Sequence, residues 1–123
     1  MRSAERRKVN VLEMKCLRSL VGVSGMDRAR NEEVRLRAGI ERELANGADQ
    51  RVMRWFGHVE RMDEYRMTRR VLMAKVSGGR VRGRPRLGWI DGVKVALGNR
   101  GIAVEAARQW AKDRKEWRAL VHM

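Results

Sequence analysis

The chain has 123 residues and a net charge of +14, because 29 lysines and arginines stand against 15 aspartates and glutamates. That length provides one domain with one modest hydrophobic core. A single cysteine, Cys16, excludes an internal disulfide and a zinc site built from thiolates, and no apolar run approaches the roughly 20 residues that a membrane-spanning helix needs.

The basic residues are mostly arginine, which supplies 23 of the 29. The guanidinium group is planar, its donors meet phosphate oxygens in pairs, and it sheds water more readily than ammonium does. A pI near 11.5 is typical of proteins that bind nucleic acids. The composition therefore favours a polyanionic partner. The open alternative is a GC-rich reading frame in which arginine codons accumulate without a function.

The first predicted helix covers residues 4–21. Its apolar residues recur at steps of three and four, which predicts one buried stripe of Val9, Leu12, Cys16, Leu17, Leu20 and Val21. We expect the Cys16 thiol to be buried in this stripe. Gly22 and Gly25 end the helix.

Three further helices are predicted over residues 32–45, 49–62 and 67–76. The first of these ends at Asn46-Gly47, and Asp49 is expected to cap the next. Gly39 and Gly57 fall inside predicted helices, where a glycine costs about 1 kcal/mol relative to alanine. An interior glycine also lets another helix come close.

The rest of the chain is predicted to form a basic loop over 78–88 and two C-terminal helices within 89–123. The first of these helices starts near Leu87, and the second covers about 103–121. The predicted fold class is therefore all-α, with five or six short helices in one domain, of which residues 1–77 form the first helical segment. Eight methionines, whose flexible side chains specify packing weakly, predict a loosely packed core.

The loop has an arginine at every second position and no acid, with Arg80, Arg82, Arg84 and Arg86 as the candidate nucleic-acid contacts. Pro85 disfavours helix at the residue before it, so the segment is expected to be extended and exposed. The core Arg-Gly-Arg-Pro-Arg at 82–86 is similar to the AT-hook, a short peptide that enters the narrow minor groove of A·T-rich DNA. Arginine-glycine segments bind RNA about as readily.

Other candidate contacts lie outside the loop. Arg51, Arg54 and Arg61 fall on the polar side of the third predicted helix, where they would extend the basic surface. Core packing is the role predicted for the four tryptophans, because all of them fall on apolar helix faces. Trp89 directly follows the loop, which makes it the candidate for stacking on a base.

The residues suggest no active site. No carboxylates form a convincing acid–base pair, and the sequence has neither a Ser-His-Asp set nor a Walker-type glycine loop. His58 and His122 are too few and too scattered for a metal site. We therefore expect no enzymatic activity, no cofactor and no metal ion.

An ordered series of motifs resembles one protein family. Residues 53–62 read Met-Arg-Trp-Phe-Gly-His-Val-Glu-Arg-Met, and the loop is followed by Trp-Ile-Asp-Gly-Val at 89–93 and by Asp-Arg-Lys-Glu-Trp-Arg at 113–118. Leu-Glu-Met-Lys-Cys-Leu-Arg at 12–18 and Arg-Asn-Glu-Glu-Val at 30–34 fit the same pattern. Together they closely resemble the C-terminal region of reverse transcriptases from LINE-type (non-LTR) retrotransposons of animals, over nearly the whole chain.

The resemblance implies a segment that follows the fingers, palm and thumb of an RNA-directed DNA polymerase. The paired aspartates that bind magnesium in that polymerase have no counterpart here, and neither does the family's endonuclease domain, so we expect a truncated copy. The implied function is a non-catalytic module that binds the backbone of RNA or DNA, in the nucleus or alternatively in the cytoplasm. The polymerase part of a related element is the other expected partner, and a membrane is not.

Two other functions remain open. The chain is alternatively a protein-interaction segment that docks on a polymerase or a host protein, with exposed methionine and tryptophan as anchors. The last alternative is a translated relic without a function. The sequence has no motif that reads a ribose and no helix that reads bases, so RNA and DNA remain equal candidates.

Overall fold

A computed structural model describes residues 1–74, 82–83 and 88–123. The regular secondary structure of these residues is helical, and they contain no strand, in agreement with the all-α prediction. The part of the chain that the structure describes contains seven α-helices, where five or six were expected: α1 (Ser3–Leu20), α2 (Asn31–Ala38), α3 (Leu44–Glu60), α4 (Met67–Met73), α5 (Trp89–Gly98), α6 (Val104–Trp110) and α7 (Arg114–His122). A 3₁₀ turn covers Gly25–Asp27. None of the helices described is both long enough and apolar enough to cross a membrane.

The chain divides into two compact units, and the division falls within α3. The first unit is Met1–Asp49 and the second is Gln50–Met123. Each unit has its own cluster of buried apolar side chains. That the chain forms one domain overall stays a prediction.

The core of the first unit lies between α1 and α2 and consists of Met14, Leu17, Val23 and Val34. The prediction of a buried Cys16 is wrong, because the thiol is exposed. Leu12 and Leu20, which share the predicted stripe, are exposed as well. The face that α1 turns toward α2 carries Glu13, whose carboxylate binds the Arg35 guanidinium of α2 through two hydrogen bonds of 3.0 and 2.8 Å.

The helix predicted over 32–45 is shorter than expected, because Gly39 ends it. Gly39 has a φ of +69°, a left-handed conformation that glycine adopts without strain. The next helix, α3, then begins at Leu44, so Asn46 and Gly47 lie inside it and Asp49 is not its cap. Asn46 accepts a hydrogen bond from Arg6, so a side chain that favours turns in isolation is used here for a tertiary contact.

The core of the second unit is built by four helices. Its buried residues are Met53 and Phe56 of α3, Val93, Ala96 and Leu97 of α5, Ala107 of α6, Ala111 after it, and Trp117 and Val121 of α7. The Trp117 indole nitrogen donates to the Met53 carbonyl over 3.1 Å. A Cβ added to Gly57 would lie 2.0 Å from that nitrogen, so this glycine permits the close approach of the two helices.

The single helix predicted over 103–121 is two helices. Between them, the Asp113 carboxylate accepts the backbone N–H groups of Lys115 (2.6 Å) and Glu116 (3.1 Å) and thereby starts α7. This cap accounts for the seventh helix. The helix predicted over 67–76 is observed as Met67–Met73, and its residues 75–76 lie outside the described part.

Candidate nucleic-acid interface

Most of the chain's positive charge belongs to the second unit. Gln50–Met123 contains 18 basic and seven acidic residues, a net charge of +11, whereas Met1–Asp49 contains 11 basic and eight acidic residues, a net charge of +3. The second unit is therefore the more strongly basic of the two.

The arginine loop lies largely outside the described residues. Arg80, Arg84 and Arg86 are in that category, so their role stays a prediction. Arg82 is described and exposed, and Gly83 after it has a φ of +128°, which is a conformation open to glycine. In the described part of the loop, the Arg82 side chain is thus exposed to solvent.

Helices α3 and α7 run antiparallel within the second unit. Arg54 Nη2 and His122 Nε2 lie 3.3 Å apart near one end of the pair, and Gly57 lies against Trp117 further along. Near the other end, Arg61 reaches the Ala111 carbonyl just before α7. Because a guanidinium has donors only, the His122 nitrogen is the acceptor in the contact with Arg54.

Each of these helices has a line of exposed basic or imidazole side chains. Those of α3 are Arg51, Arg54 and His58, and those of α7 are Arg114, Arg118 and His122; together we call them the basic seam. Spacings of three and four residues place each set on one helix face, at intervals of about 6 Å along the axis for the four-residue steps. The contact between Arg54 and His122 joins the two lines.

Neither helix adds a carboxylate to the basic seam. Between Gln50 and its end, α3 has one acid, Glu60, which turns toward Arg108 of α6 at 3.6 Å, an ion pair too long for a hydrogen bond. In α7, Glu116 is two residues from both Arg114 and Arg118, which is roughly 200° around the helix. These described helices therefore leave the seam without acids of their own.

The sequence prediction named Arg51 and Arg54 on the α3 line of the seam, but neither His58 nor any residue of the α7 line. Arg51 and Arg54 are exposed on α3, as their prediction requires. The four-residue spacing of Arg114, Arg118 and His122 is visible in the sequence. What the sequence does not reveal is that α7 starts at Arg114 and packs beside α3.

Arg61 differs from the other predicted contacts. It follows the last residue of α3, is half-buried, and its Nη1 donates to the Ala111 carbonyl over 2.7 Å. Burial, and secondarily the nearby charge of Arg114, lower the pKa of Arg61 below its usual value. Arg61 therefore has a structural contact at the end of α6, and its contact with nucleic acid stays a prediction.

Two more arginines of the second unit have the same structural role. Arg69 donates to the Glu60 carbonyl over 2.9 Å, and Arg100 donates to the Leu120 carbonyl over 2.9 Å. These carbonyls belong to the last turns of α3 and α7. Carbonyl groups there have no N–H partner within their own helix. Part of the arginine content thus stabilises helix ends.

The tryptophans divide into one core residue and three partly exposed ones. Trp117 is buried, but Trp55, Trp89 and Trp110 are 41–42% exposed, so the prediction that all four pack in the core is wrong for these three. Trp55 and Trp89 contact each other edge to face, with ring centroids 4.0 Å apart. Exposure of Trp89 is the condition that stacking on a base requires.

Within the described ranges, no group of three or more His, Cys, Asp or Glu side chains is arranged to hold a metal ion. Comparison with protein-family models, with curated proteins and with solved structures found no match to this chain. The geometry and charge of the basic seam are therefore the features that bear on function.

Proposed function

We propose that the chain is a non-catalytic module that binds the phosphate backbone of RNA or DNA. The observation that carries the proposal is the basic seam, where two antiparallel helices present arginines and histidines without a carboxylate on either line. Arginine meets phosphate oxygens with paired donors, and the two helices set the spacing of the backbone positions that carry these side chains.

The arginine loop belongs to the same proposed interface. Arg80, Arg82, Arg84 and Arg86 lie in the unit that contains the seam, and exposed Arg82 supports their participation. The motif resemblance gives the proposal a setting, in which this region follows a retrotransposon polymerase and helps to hold template or target near it, in the nucleus. In that setting the magnesium-binding aspartates belong to the polymerase and not to this chain.

Salt dependence tests the proposal. If about six phosphates are neutralised, the slope of log K against log salt is roughly −5 for duplex DNA and −4 for a single strand. Mobility shifts at two salt concentrations on single-stranded RNA, single-stranded DNA, and A·T-rich and G·C-rich duplexes measure this slope. Absence of binding, or affinity that does not change with salt, would overturn the proposal.

A quadruple variant isolates the contribution of the loop. Replacing Arg80, Arg82, Arg84 and Arg86 by serine should weaken binding to all tested sequences alike, because phosphate contacts carry no sequence information. Unchanged affinity would show that the loop is a connector, with the seam as the remaining interface. Weakening confined to A·T-rich duplex would instead indicate minor-groove binding of the AT-hook type.

One observation favours a second candidate function, a segment that docks on the polymerase part of a related element. Leu12, Cys16 and Leu20 recur every four residues on α1, and all three are exposed. Such a stripe is suited to packing on another protein. Sedimentation and circular dichroism of the isolated chain separate the two candidates. A monomer that unfolds cooperatively favours the binding module. A molten or aggregating chain that becomes ordered when the polymerase is added favours docking.

A further inference from the structure

Trp55 and Trp89 form an aromatic pair on the surface of the second unit. Trp55 lies on α3 between buried Met53 and buried Phe56, so its backbone is fixed by the core. Trp89 is the first residue of α5, whose start is fixed by a hydrogen bond from the Gly88 N–H to the Asp91 carboxylate (2.9 Å). Both indoles are therefore positioned by helices and remain 41% exposed.

The pair borders an open apolar groove. Met67, Val71 and Leu72 of α4 and Ile90 of α5 line it together with the two indoles. The groove lies within the second unit, the one with a net charge of +11. An apolar surface of this kind accepts either the flat face of a nucleobase or apolar side chains of a protein.

Neighbouring charges favour the nucleobase. On α3, Trp55 follows Arg51 by four residues, so the exposed Arg51 guanidinium lies on the helix face that carries Trp55. Arg82, also exposed, lies a few residues before Trp89 in the chain. Proteins that bind single-stranded nucleic acids combine an aromatic surface with neighbouring cationic side chains. The bases stack on the aromatic surface, and the phosphates contact the cationic side chains.

We infer that Trp55 and Trp89 form a stacking platform for unpaired bases, so the nucleic acid bound by the seam is single-stranded. The inference rests on the proposed function and names its ligand class. In a duplex the bases stack on one another and do not present free faces, so the platform adds affinity only for a single strand.

An abasic strand tests the platform without altering the protein. Fluorescence anisotropy compares a 12-nucleotide strand with an abasic strand of the same length and phosphate count. Stacking of one base contributes a factor of at least about fivefold, so the abasic strand should bind at least about fivefold more weakly. Equal affinity for the two strands would overturn the inference and leave the proposed function standing, whereas no binding to any nucleic acid would overturn both.

Single substitutions then locate the platform. Trp89→Leu and Trp55→Leu should each weaken the base-bearing strand by about fivefold or more, with less than about twofold change for the abasic strand and for a duplex. Trp110→Leu is the matched control, since Trp110 is equally exposed but lies on α6. A Trp110 effect as large as that of Trp89, or wild-type affinity in both platform variants, would contradict the inference and leave the groove to a protein partner.

If Trp55→Leu loses its helical circular dichroism signal, the Trp89→Leu variant alone tests the stacking platform. A Trp89 variant that retains the wild-type unfolding temperature and the wild-type affinity for the base-bearing strand would by itself overturn the platform.

Discussion

Gly57 is buried in α3 against the indole of Trp117. A Cβ at this position would lie 2.0 Å from the indole nitrogen, and the indole is held in place by its hydrogen bond to Met53. Gly57→Ala should therefore destabilise the fold by about 2 kcal/mol, because overpacking outweighs the gain in helix propensity. Thermal unfolding followed by circular dichroism measures the change.

Two other helical glycines provide the control for Gly57. A Cβ at Gly47 or at Gly92 would meet nothing within 4 Å. Alanine at either position should stabilise the protein by up to about 1 kcal/mol. A Gly57→Ala variant as stable as these two would show that α3 and α7 do not approach as closely as described.

The pair formed by Glu13 and Arg35 makes the first unit sensitive to acid. Glu13 accepts two hydrogen bonds from Arg35 and one from the Leu44 N–H (3.1 Å). The bonds from Arg35, chiefly, hold the pKa of Glu13 below its usual 4.5 although burial opposes them. Since the folded pKa is depressed, the stabilisation is complete above 4.5 and is lost as the pH falls through the folded value.

Glu13→Gln should remove this acid-dependent stabilisation. We expect the variant to be about 2 kcal/mol less stable at neutral pH, with a smaller further loss below pH 4.5 than the wild type shows. Denaturant unfolding at pH 7 and pH 3.5 measures both quantities. Glu41→Gln, at an exposed position, is the control and should change stability by less than about 0.5 kcal/mol. If the free energy of unfolding fell equally with pH in Glu13→Gln and in the wild type, Glu13 would not be the source of the acid sensitivity.

At the scale of single elements, α7 depends on its cap. Asp113 accepts two backbone N–H groups that have no partner within the helix. Asp113→Ala should therefore destabilise the protein by about 1 kcal/mol, and Asp113→Asn should retain most of the stability, because asparagine is also a good cap. Unfolding temperatures of the two variants measure the difference, and equal loss in both would point to the carboxylate charge in place of the cap.

The same elements show what the sequence predicts and what it does not. The first helix and the helix predicted to start near Leu87 follow from apolar spacing and flanking glycines; both are observed, and the second starts at Trp89. Asn46-Gly47 favours a turn locally, but Arg6 binds Asn46 and the residues remain in α3. Apolar spacing on either side of Asp113 favours one continuous helix, whereas the structure uses Asp113 as the cap that starts a second one.

For the whole molecule, the sequence predicts the net charge better than it predicts where individual side chains lie in the fold. The excess of arginine is visible from composition, but its division into helix-end contacts such as Arg69 and Arg100 and exposed seam residues requires the packed helices. The burial of tryptophan was likewise overestimated, because an apolar helix face need not be covered by the same chain. The packing of helices that are distant in sequence decides both which arginines contact helix ends and which tryptophans are covered. No local sequence pattern encodes that packing.

The basic seam should therefore account for part of the salt dependence of the whole protein. Each phosphate contact on a single strand contributes about 0.7 to the slope of log K against log salt. Arg114→Gln combined with Arg118→Gln should lower the magnitude of the slope by about 1.4 and weaken binding to all sequences alike. Titrations with a labelled single strand at four salt concentrations measure it.

Arg7→Gln combined with Lys8→Gln removes the same charge from exposed positions of α1, in the unit whose net charge is only +3. If net charge alone attracted the nucleic acid, the two double variants would lose affinity equally. Because phosphate contacts are short-ranged at physiological salt, where the Debye length is about 8 Å, we expect the α1 variant to keep the wild-type slope. Equal slopes in both double variants would mean that attraction is spread over the molecule and that the seam is not a site.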